Sequence, residues 1–182
     1  MTKRILAFGA SNSSKSINKR FASYAAQQID GAEVTLLDLN DFEMPIFSID
    51  REEAGEKQEL AEQFLQHIQD ADGIIISFAE HNGAYSAAFK NIFDWVSRIE
   101  KSVWLNRPML LLSTSPGGRG GKTVLDIATT KFGFMNSNTI ASFALPGFHK
   151  NFSEENGIAD EELRAGFEAA LATFEQALQS EA

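Results

Sequence analysis

The chain of 182 residues is long enough for one domain with a sizeable core, and we expect a single domain over residues 1–182. Its formal net charge of −9 disfavours nucleic-acid binding, which requires a basic face. The absence of cysteine excludes disulfides, thiol chemistry and cysteine-bound metals, so any redox activity must come from a bound cofactor. No apolar run approaches the roughly 18 residues of a membrane span and no signal peptide is evident, so we expect a cytoplasmic protein.

Strand and helix patterns alternate along the chain. Short apolar runs predict five strands, at residues 4–8, 34–37, 73–78, 108–112 and 139–145. Apolar residues at helical spacing predict five helices, at residues 17–29, 60–68, 88–99, 122–132 and 163–178, with Asp160 capping the last. This alternation predicts a doubly wound α/β domain with helices on both faces of a parallel sheet. The expected strand order is 2-1-3-4-5, which places a ligand at the carboxyl ends of strands 1 and 3.

The turn between the first strand and the first helix is rich in serine. Residues 9–18 contain four Ser, two Asn and one Gly. Short hydroxyl side chains and free N–H groups at a helix N-terminus suit a phosphate, because the donors and the helix dipole point at the same place. The same residue types are also usual in a capping turn, so a phosphate site and a simple cap are both open at this point.

Two further loops follow predicted strands 3 and 4. In the first, Asn82 and Gly83 would admit a flat ligand close to the backbone, or form an ordinary Asn-Gly turn. In the second, residues 113–121 hold four Gly, which would expose N–H groups to a ligand or form a flexible connection that Pro116 stiffens. His81 is either an acid–base catalyst or a ring packed beside a ligand. Because strands 1, 3 and 4 are neighbours in the expected order, their loops converge and predict one site.

The three loops together resemble the NADPH-dependent FMN reductase family of flavodoxin-like proteins. Of the family's phosphate loop G-S-x-R-x-x-S-x-N, Ser11, Ser16 and Asn18 match, and Ser13 stands in place of the Arg. Residues 114–121 match the loop T-S-P-G-G-x-G-G in full. The motif P-E-Y-N-x-x-x-P-x-x-L-K-N-x-x-D-W is matched at Glu80, Asn82, Lys90, Asn91, Asp94 and Trp95. The chain departs from that motif at Ala79, His81, Ser86 and Phe89.

The resemblance implies a flavodoxin-like fold with FMN lying along these loops and NADPH or NADH as the electron donor. The cofactor-binding residues that it implies are Ser11, Ser13, Ser16, Ile17, Asn18, Glu80, His81, Asn82, Gly83, Ser115, Pro116, Gly117 and Gly118. Family members reduce quinones, azo dyes, metal oxyanions or free flavin, so a small-molecule acceptor is implied. Because the flavin carries the redox chemistry, no catalytic side chain and no metal is expected.

Three other interpretations remain open. Gly9, Lys15 and Ser16 fit the P-loop pattern G-x-x-x-x-G-K-[ST] of phosphotransferases, with residues 34–38 as an acidic strand end for magnesium. Ser14, however, replaces the second Gly of that pattern. A flavodoxin-like electron carrier would share the flavin cradle without NAD(P)H activity, and a bare α/β interaction module would bind no ligand.

We also expect a homo-oligomer, a homodimer or homotetramer. Trp95 lies about 90° from the middle of the apolar stripe of the third predicted helix, and Trp104 follows that helix. Two large aromatic residues off the core face either form an interface or cover the rim of the core, and the resemblance favours the interface, because family members pair around this helix. At the rim of the site, Lys15, Arg119 and Lys122 are expected to attract the 2′-phosphate of NADPH.

Overall fold

The computed structural model of the chain describes residues 2–56 and 58–180. The main sheet consists of β1 (Arg4–Ala10), β2 (Glu33–Leu37), β3 (Gly73–Phe78), β4 (Met109–Thr114) and β5 (Ile140–Leu145). The helices are α1 (Ile17–Gln27), α2 (Ile49–Glu53), α3 (Glu59–Asp70), α4 (Ala87–Ile99), α5 (Lys122–Met135), α6 (Phe148–Asn151) and α7 (Glu161–Ser180). A 3₁₀ turn spans Leu39–Phe42, and a short antiparallel hairpin pairs β6 (Phe152–Ser153) with β7 (Gly157–Ile158).

The main sheet is parallel throughout and has the strand order β2-β1-β3-β4-β5. This confirms the predicted fold class and strand order. The interior strands β1, β3 and β4 are buried along almost their whole length, because helices cover both faces of the sheet. Their register pairs Gly9 with Ser77 and Ser77 with Leu112, so the loops that follow the three strands emerge side by side.

Two apolar layers enclose the sheet. Alternate residues of β1 contribute to opposite layers, Leu6 and Phe8 to the one formed with α3, α4 and α5, and Ile5 and Ala7 to the one formed with α1 and α7. Each layer contains fully buried aromatic side chains, so each face of the sheet has its own core.

Gly9 controls how closely α1 approaches the end of β1. A Cβ at this position would collide with the backbone nitrogen and Cα of Lys19. Only glycine therefore allows the first turn of α1 to rest on the strand end, which is where the serine-rich loop is anchored.

The sequence analysis missed the short elements α2 and α6 and the β6–β7 hairpin. An element of two to five residues is too short to show an apolar period. In addition, α2 buries none of its own residues, and it begins where Ser48 Oγ accepts the Arg51 N–H at 3.2 Å. The longer elements are as predicted to within a few residues, and Asp160 caps α7 by accepting the Leu163 N–H at 3.0 Å.

The prediction that Trp95 and Trp104 lie off the core is wrong, because they are only 4% and 0% exposed. The loop after β2 folds over Trp95, whose Nε1 donates to the Pro45 carbonyl at 2.8 Å and whose ring meets Phe47 edge-on at 5.1 Å. Trp104 follows α4 in a turn that returns it to the core, where it contacts Phe132 at 4.6 Å between ring centroids. Neither tryptophan is therefore evidence for an interface.

Candidate functional site

The loops after β1, β3 and β4 converge on one cleft at the carboxyl ends of these strands. The cleft encloses about 220 Å³ between residues 11–18, 79–81 and 114–116. Nine of the thirteen predicted cofactor-binding residues line it, namely Ser11, Ser13, Ser16, Ile17, Asn18, Glu80, His81, Ser115 and Pro116. The other four are further along the same loops and do not line it, namely Asn82, Gly83, Gly117 and Gly118. Lys15, Ala79 and Thr114 also line the cleft, and they are not among the predicted cofactor-binding residues.

The serines of the first loop are fixed by bonds to nearby backbone. Ser11 Oγ accepts the Ser13 N–H at 3.1 Å, and Ser13 Oγ accepts the Lys15 N–H at 3.3 Å. Ser16 Oγ accepts the Lys19 N–H at 3.1 Å and caps α1. The loop is therefore organised by its own side chains, as short hydroxyl residues allow.

The same loop presents donors that have no protein partner. Within residues 2–56 and 58–180, the backbone N–H groups of Ile17 and Asn18 at the start of α1 have no acceptor. The hydroxyl protons of Ser11, Ser13 and Ser16 also lack an acceptor within those ranges. Free donors at the positive end of a helix dipole suit a phosphate, so the cap and the phosphate site are compatible roles of one loop.

Asn18 joins the first loop to the two neighbouring strands. Its Oδ1 accepts the Ser77 hydroxyl at 2.7 Å and the Thr114 N–H at 3.0 Å, and its Nδ2 donates to the Thr114 carbonyl at 3.1 Å. The residue is 3% exposed. The motif match assigned this residue to the cofactor, but the structure commits most of its side-chain bonding capacity to β3 and β4.

The second loop contains a tight turn at the mouth of the cleft. His81 and Ala84 exchange backbone hydrogen bonds of 3.0 and 3.1 Å across Asn82 and Gly83, whose φ angles are +52° and +76°. Positive φ at both central residues is the geometry that Asn-Gly favours. The Asn-Gly turn interpretation is therefore correct for the backbone, and His81 is exposed at its start.

Glu80 connects the second loop to α5. Its Oε2 accepts the Val124 N–H at 3.0 Å, so its carboxylate caps the first turn of α5. The residue at the helix start, Gly121, has φ of +73° and no side chain that could do this. A residue predicted to contact the cofactor thus has its side chain bonded to a helix N-terminus.

The third loop is fixed by backbone bonds to the chain beyond β5. The carbonyls of Ser115 and Gly117 accept the N–H groups of Phe148 and Gly147 at 3.0 and 2.9 Å. Gly120 has φ of +59°, and a Cβ there would lie 2.7 Å from the backbone at the end of β5. The glycines of this loop therefore permit close packing on β5, and the loop is not merely a flexible connection.

A sequence profile described as NADPH-dependent FMN reductase matches residues 3–150, a range that includes all three loops. The chain belongs to the NADPH-dependent FMN reductase family. This confirms the predicted class, an oxidoreductase enzyme with FMN as its cofactor and NAD(P)H as its electron donor.

Two relatives of this FMN reductase are named for different acceptors. An NADPH:quinone oxidoreductase of Arabidopsis thaliana is 29% identical over 74% of this chain and 69% of its own. An NADPH azoreductase of Bacillus sp. (strain OY1-2) is 30% identical over 70% of this chain and 68% of its own. The solved structure of a flavoenzyme NAD(P)H:(acceptor) oxidoreductase from Paracoccus denitrificans has a TM-score of 0.76 at 18% identity and covers 98% of both chains. That likeness supports the fold.

The Arg of the family's phosphate loop is absent from this FMN reductase. Three cationic side chains in or near this loop differ in whether they form ion pairs. Lys19 forms an ion pair with Asp38 at 2.5 Å, and its hydrogen bond holds the pKa of that carboxyl below the usual value. Arg20 pairs with Glu154 at 2.7 Å. Lys15 lines the cleft and forms no ion pair within the described chain, so it remains available to an anion. Asp38, at the end of β2, forms an ion pair with Lys19. The P-loop interpretation, in which an acidic end of this strand binds magnesium, therefore has no support.

Within residues 2–56 and 58–180, no group of three or more His, Cys, Asp or Glu is placed to hold a metal ion. Among the helices of the same ranges, none combines the length and apolarity that a membrane crossing requires.

Proposed function

We propose that this FMN reductase holds FMN in the cleft and uses NAD(P)H to reduce a quinone-, azo-, flavin- or metal-oxyanion-type acceptor. One observation carries the proposal, the convergence of a donor-rich helix start with two backbone-lined loops in a member of this family. The relatives named for quinone and azo acceptors support that acceptor class.

The first loop is proposed to hold the phosphate of FMN. The N–H groups of Ile17 and Asn18 and the hydroxyls of Ser11, Ser13 and Ser16 are the donors for it. Such donors bind a dianion strongly, because bonds to a charged acceptor are the stronger class. Lys15 adds a positive charge beside them.

The second and third loops are proposed to bind the flavin ring. The residues assigned to it are Glu80, His81, Asn82 and Gly83 on one side and Ser115, Pro116, Gly117 and Gly118 on the other. Bound FMN would supply the hydride chemistry between the nicotinamide donor and the acceptor, and these loops would orient its ring. No acid or base from the chain is assigned to the transfer.

We also propose a homo-oligomer, most simply a dimer. The support is a set of exposed apolar side chains on α2, α4 and α5 and in the loop before α2. Ile46 is 81% exposed and Phe134 is 86% exposed. Ile49, Ile99 and Ile127 are exposed on the same layer of helices. A second copy covering this face would remove a large apolar area from water.

We propose a single domain over residues 1–182 and a cytoplasmic location, where NAD(P)H is supplied.

The functional test is the visible spectrum of the purified protein, before and after NADPH is added without oxygen. A bound flavin that bleaches on addition supports the function, and failure to bind micromolar FMN overturns it. Sedimentation at micromolar concentration tests the assembly, and a mass of one chain, unchanged by FMN, contradicts it.

A further inference from the structure

The two loops assigned to the flavin ring are built differently from each other. The second loop closes on itself through the His81–Ala84 turn. The third loop is fixed to the chain beyond β5 through Ser115 and Gly117. Their separation is therefore not determined by either loop alone.

The bond between the Glu80 carboxylate and the Val124 N–H is a polar tie between these two parts. It joins the second loop to the first turn of α5, which follows directly on the third loop. Packing also joins the loop to α5, because the Tyr85 ring stacks on Phe132 at 6.5 Å between centroids, but a Cβ added at Gly83 would have ordinary contact only, with the Thr123 side chain at 3.8 Å. The Val124 N–H, in the first turn of α5, needs an acceptor from outside the helix, because Gly121 carries no side chain that could cap it.

We propose that Glu80 is a positioning residue for the flavin ring, acting through α5. Its carboxylate sets the distance between the two loops by accepting the Val124 N–H, and it does so without contributing to the phosphate end of the cleft. The inference rests on the proposed function, because it assigns the ring to these two loops. The family motif contains a Glu at this position, and the inference assigns its side chain a hydrogen-bond partner and a role.

The test compares Glu80→Ala with Glu80→Gln, because glutamine retains an acceptor oxygen. Affinity is measured for both FMN and riboflavin, which share the ring and differ in the phosphate. Glu80→Ala is expected to weaken the binding of both flavins by the same factor, about tenfold. One bond to a charged acceptor is lost, so the two loops that hold the ring are no longer kept at a fixed separation. Glu80→Gln is expected to stay within about threefold of the parent for both flavins, since a neutral acceptor retains most of the bond.

Amide exchange at Val124 provides a measurement that does not need flavin. Exchange of this N–H is expected to accelerate in Glu80→Ala and to remain near the parent rate in Glu80→Gln. Glu62→Ala is the matched control, because it removes an exposed carboxylate of α3 that does not line the cleft. It is expected to change neither flavin affinity nor Val124 exchange. If Glu80→Ala does not fold, Glu80→Met keeps the side-chain length without an acceptor.

Three results overturn the assignment, namely unchanged flavin affinity in Glu80→Ala, an effect on FMN without one on riboflavin, and a Glu80→Gln variant as weak as Glu80→Ala. Failure of the proposed function is distinguishable from these results, because it shows as a parent protein that binds neither flavin. In that case unaltered Val124 exchange in Glu80→Ala would still reject the tie.

Discussion

The phosphate end and the ring end of the cleft are held in shape by different kinds of bonds. In the serine loop, each fixing bond joins residues two or three positions apart, as between Ser11 and Ser13. At the ring end, Glu80 bonds to Val124, 44 positions along the chain, and the third loop bonds to the segment after β5. The phosphate end is therefore mainly a local motif, whereas the ring end combines the local His81–Ala84 turn with bonds to distant elements.

Asn18 is the exception, and replacing it is expected to have the largest effect on stability. Asn18→Leu would leave the Ser77 hydroxyl and both backbone groups of Thr114 buried without partners. The expected loss in the free energy of unfolding is about 3 kcal/mol or more, measured by urea denaturation. The control is Ser77→Ala, which removes one partner and is expected to cost about 1 kcal/mol. If Asn18→Leu leaves the protein as stable as the parent, the two ends are not joined through this residue.

The second prediction isolates the phosphate end. The double change Ser11→Ala and Ser13→Ala is expected to weaken FMN at least tenfold, because two donors to a charged group are lost. Riboflavin affinity is expected to remain unchanged, because it has no phosphate. Fluorescence titration with the two flavins measures both effects. Ser14→Ala, in the same loop and outside the predicted site, is the control, and an equal loss for both flavins would contradict the division of the cleft.

The third prediction concerns charge at the phosphate end. Lys15→Gln is expected to weaken FMN about threefold at low salt and less at high salt, because the exposed ammonium is screened. Titrations at two salt concentrations check this, with Lys131→Gln on the exposed face of α5 as the control. A loss that does not depend on salt would assign Lys15 a role other than charge.

The fourth prediction concerns the electron donor at the rim of the ring end. Arg119 bonds to the Thr123 hydroxyl at 3.1 Å and forms no ion pair within the described chain, so its charge remains available. Arg119→Gln is expected to raise the KM for NADPH about two- to threefold more than the KM for NADH, because only NADPH carries the 2′-phosphate. Steady-state kinetics with both donors decide this, and equal effects would reject the assignment.

The smallest effect is expected at Tyr85, directly after the turn of the ring end. Its hydroxyl is buried without a partner among the described residues, and burial raises its pKa to about 12 from 10.0. Because the folded state favours the neutral form, the stability of the parent should fall as the pH rises from about 10 to about 12. Tyr85→Phe should show a smaller fall, because Tyr24, whose pKa burial also raises, remains, and it should gain less than about 1 kcal/mol at neutral pH. Denaturation at about pH 7 and about pH 11 tests both, and an equal loss of stability in the parent and the variant would show that water reaches the hydroxyl.

The same division explains what the sequence could predict. The five strands, their order and the convergence of three loops follow from local patterns, and the structure confirms them. The bonds of Ser16 could also be anticipated, because a cap lies within three residues of its partner. These features need no knowledge of distant contacts.

The hydrogen-bond partners of the Asn18 and Glu80 side chains could not be predicted from local sequence patterns. The motif placed both at the cofactor, whereas their side chains bond to residues 96 and 44 positions away. The burial of Trp95 could not be predicted for the same reason, since the loop that covers it contains Pro45, 50 positions earlier in the chain. A helical wheel reports the face of one helix and not the segment that folds over it.

The closure of both faces of the sheet has a consequence for the protein without its cofactor. Each apolar layer is complete within the chain, and the interior strands are buried by helices alone. We therefore expect the apoprotein to keep its fold when FMN is removed, with the cofactor adding stability only through the mass action of its binding. The chain should then accept chemically altered flavins by simple mixing, so that the potential of the bound ring can be varied while the polypeptide stays the same.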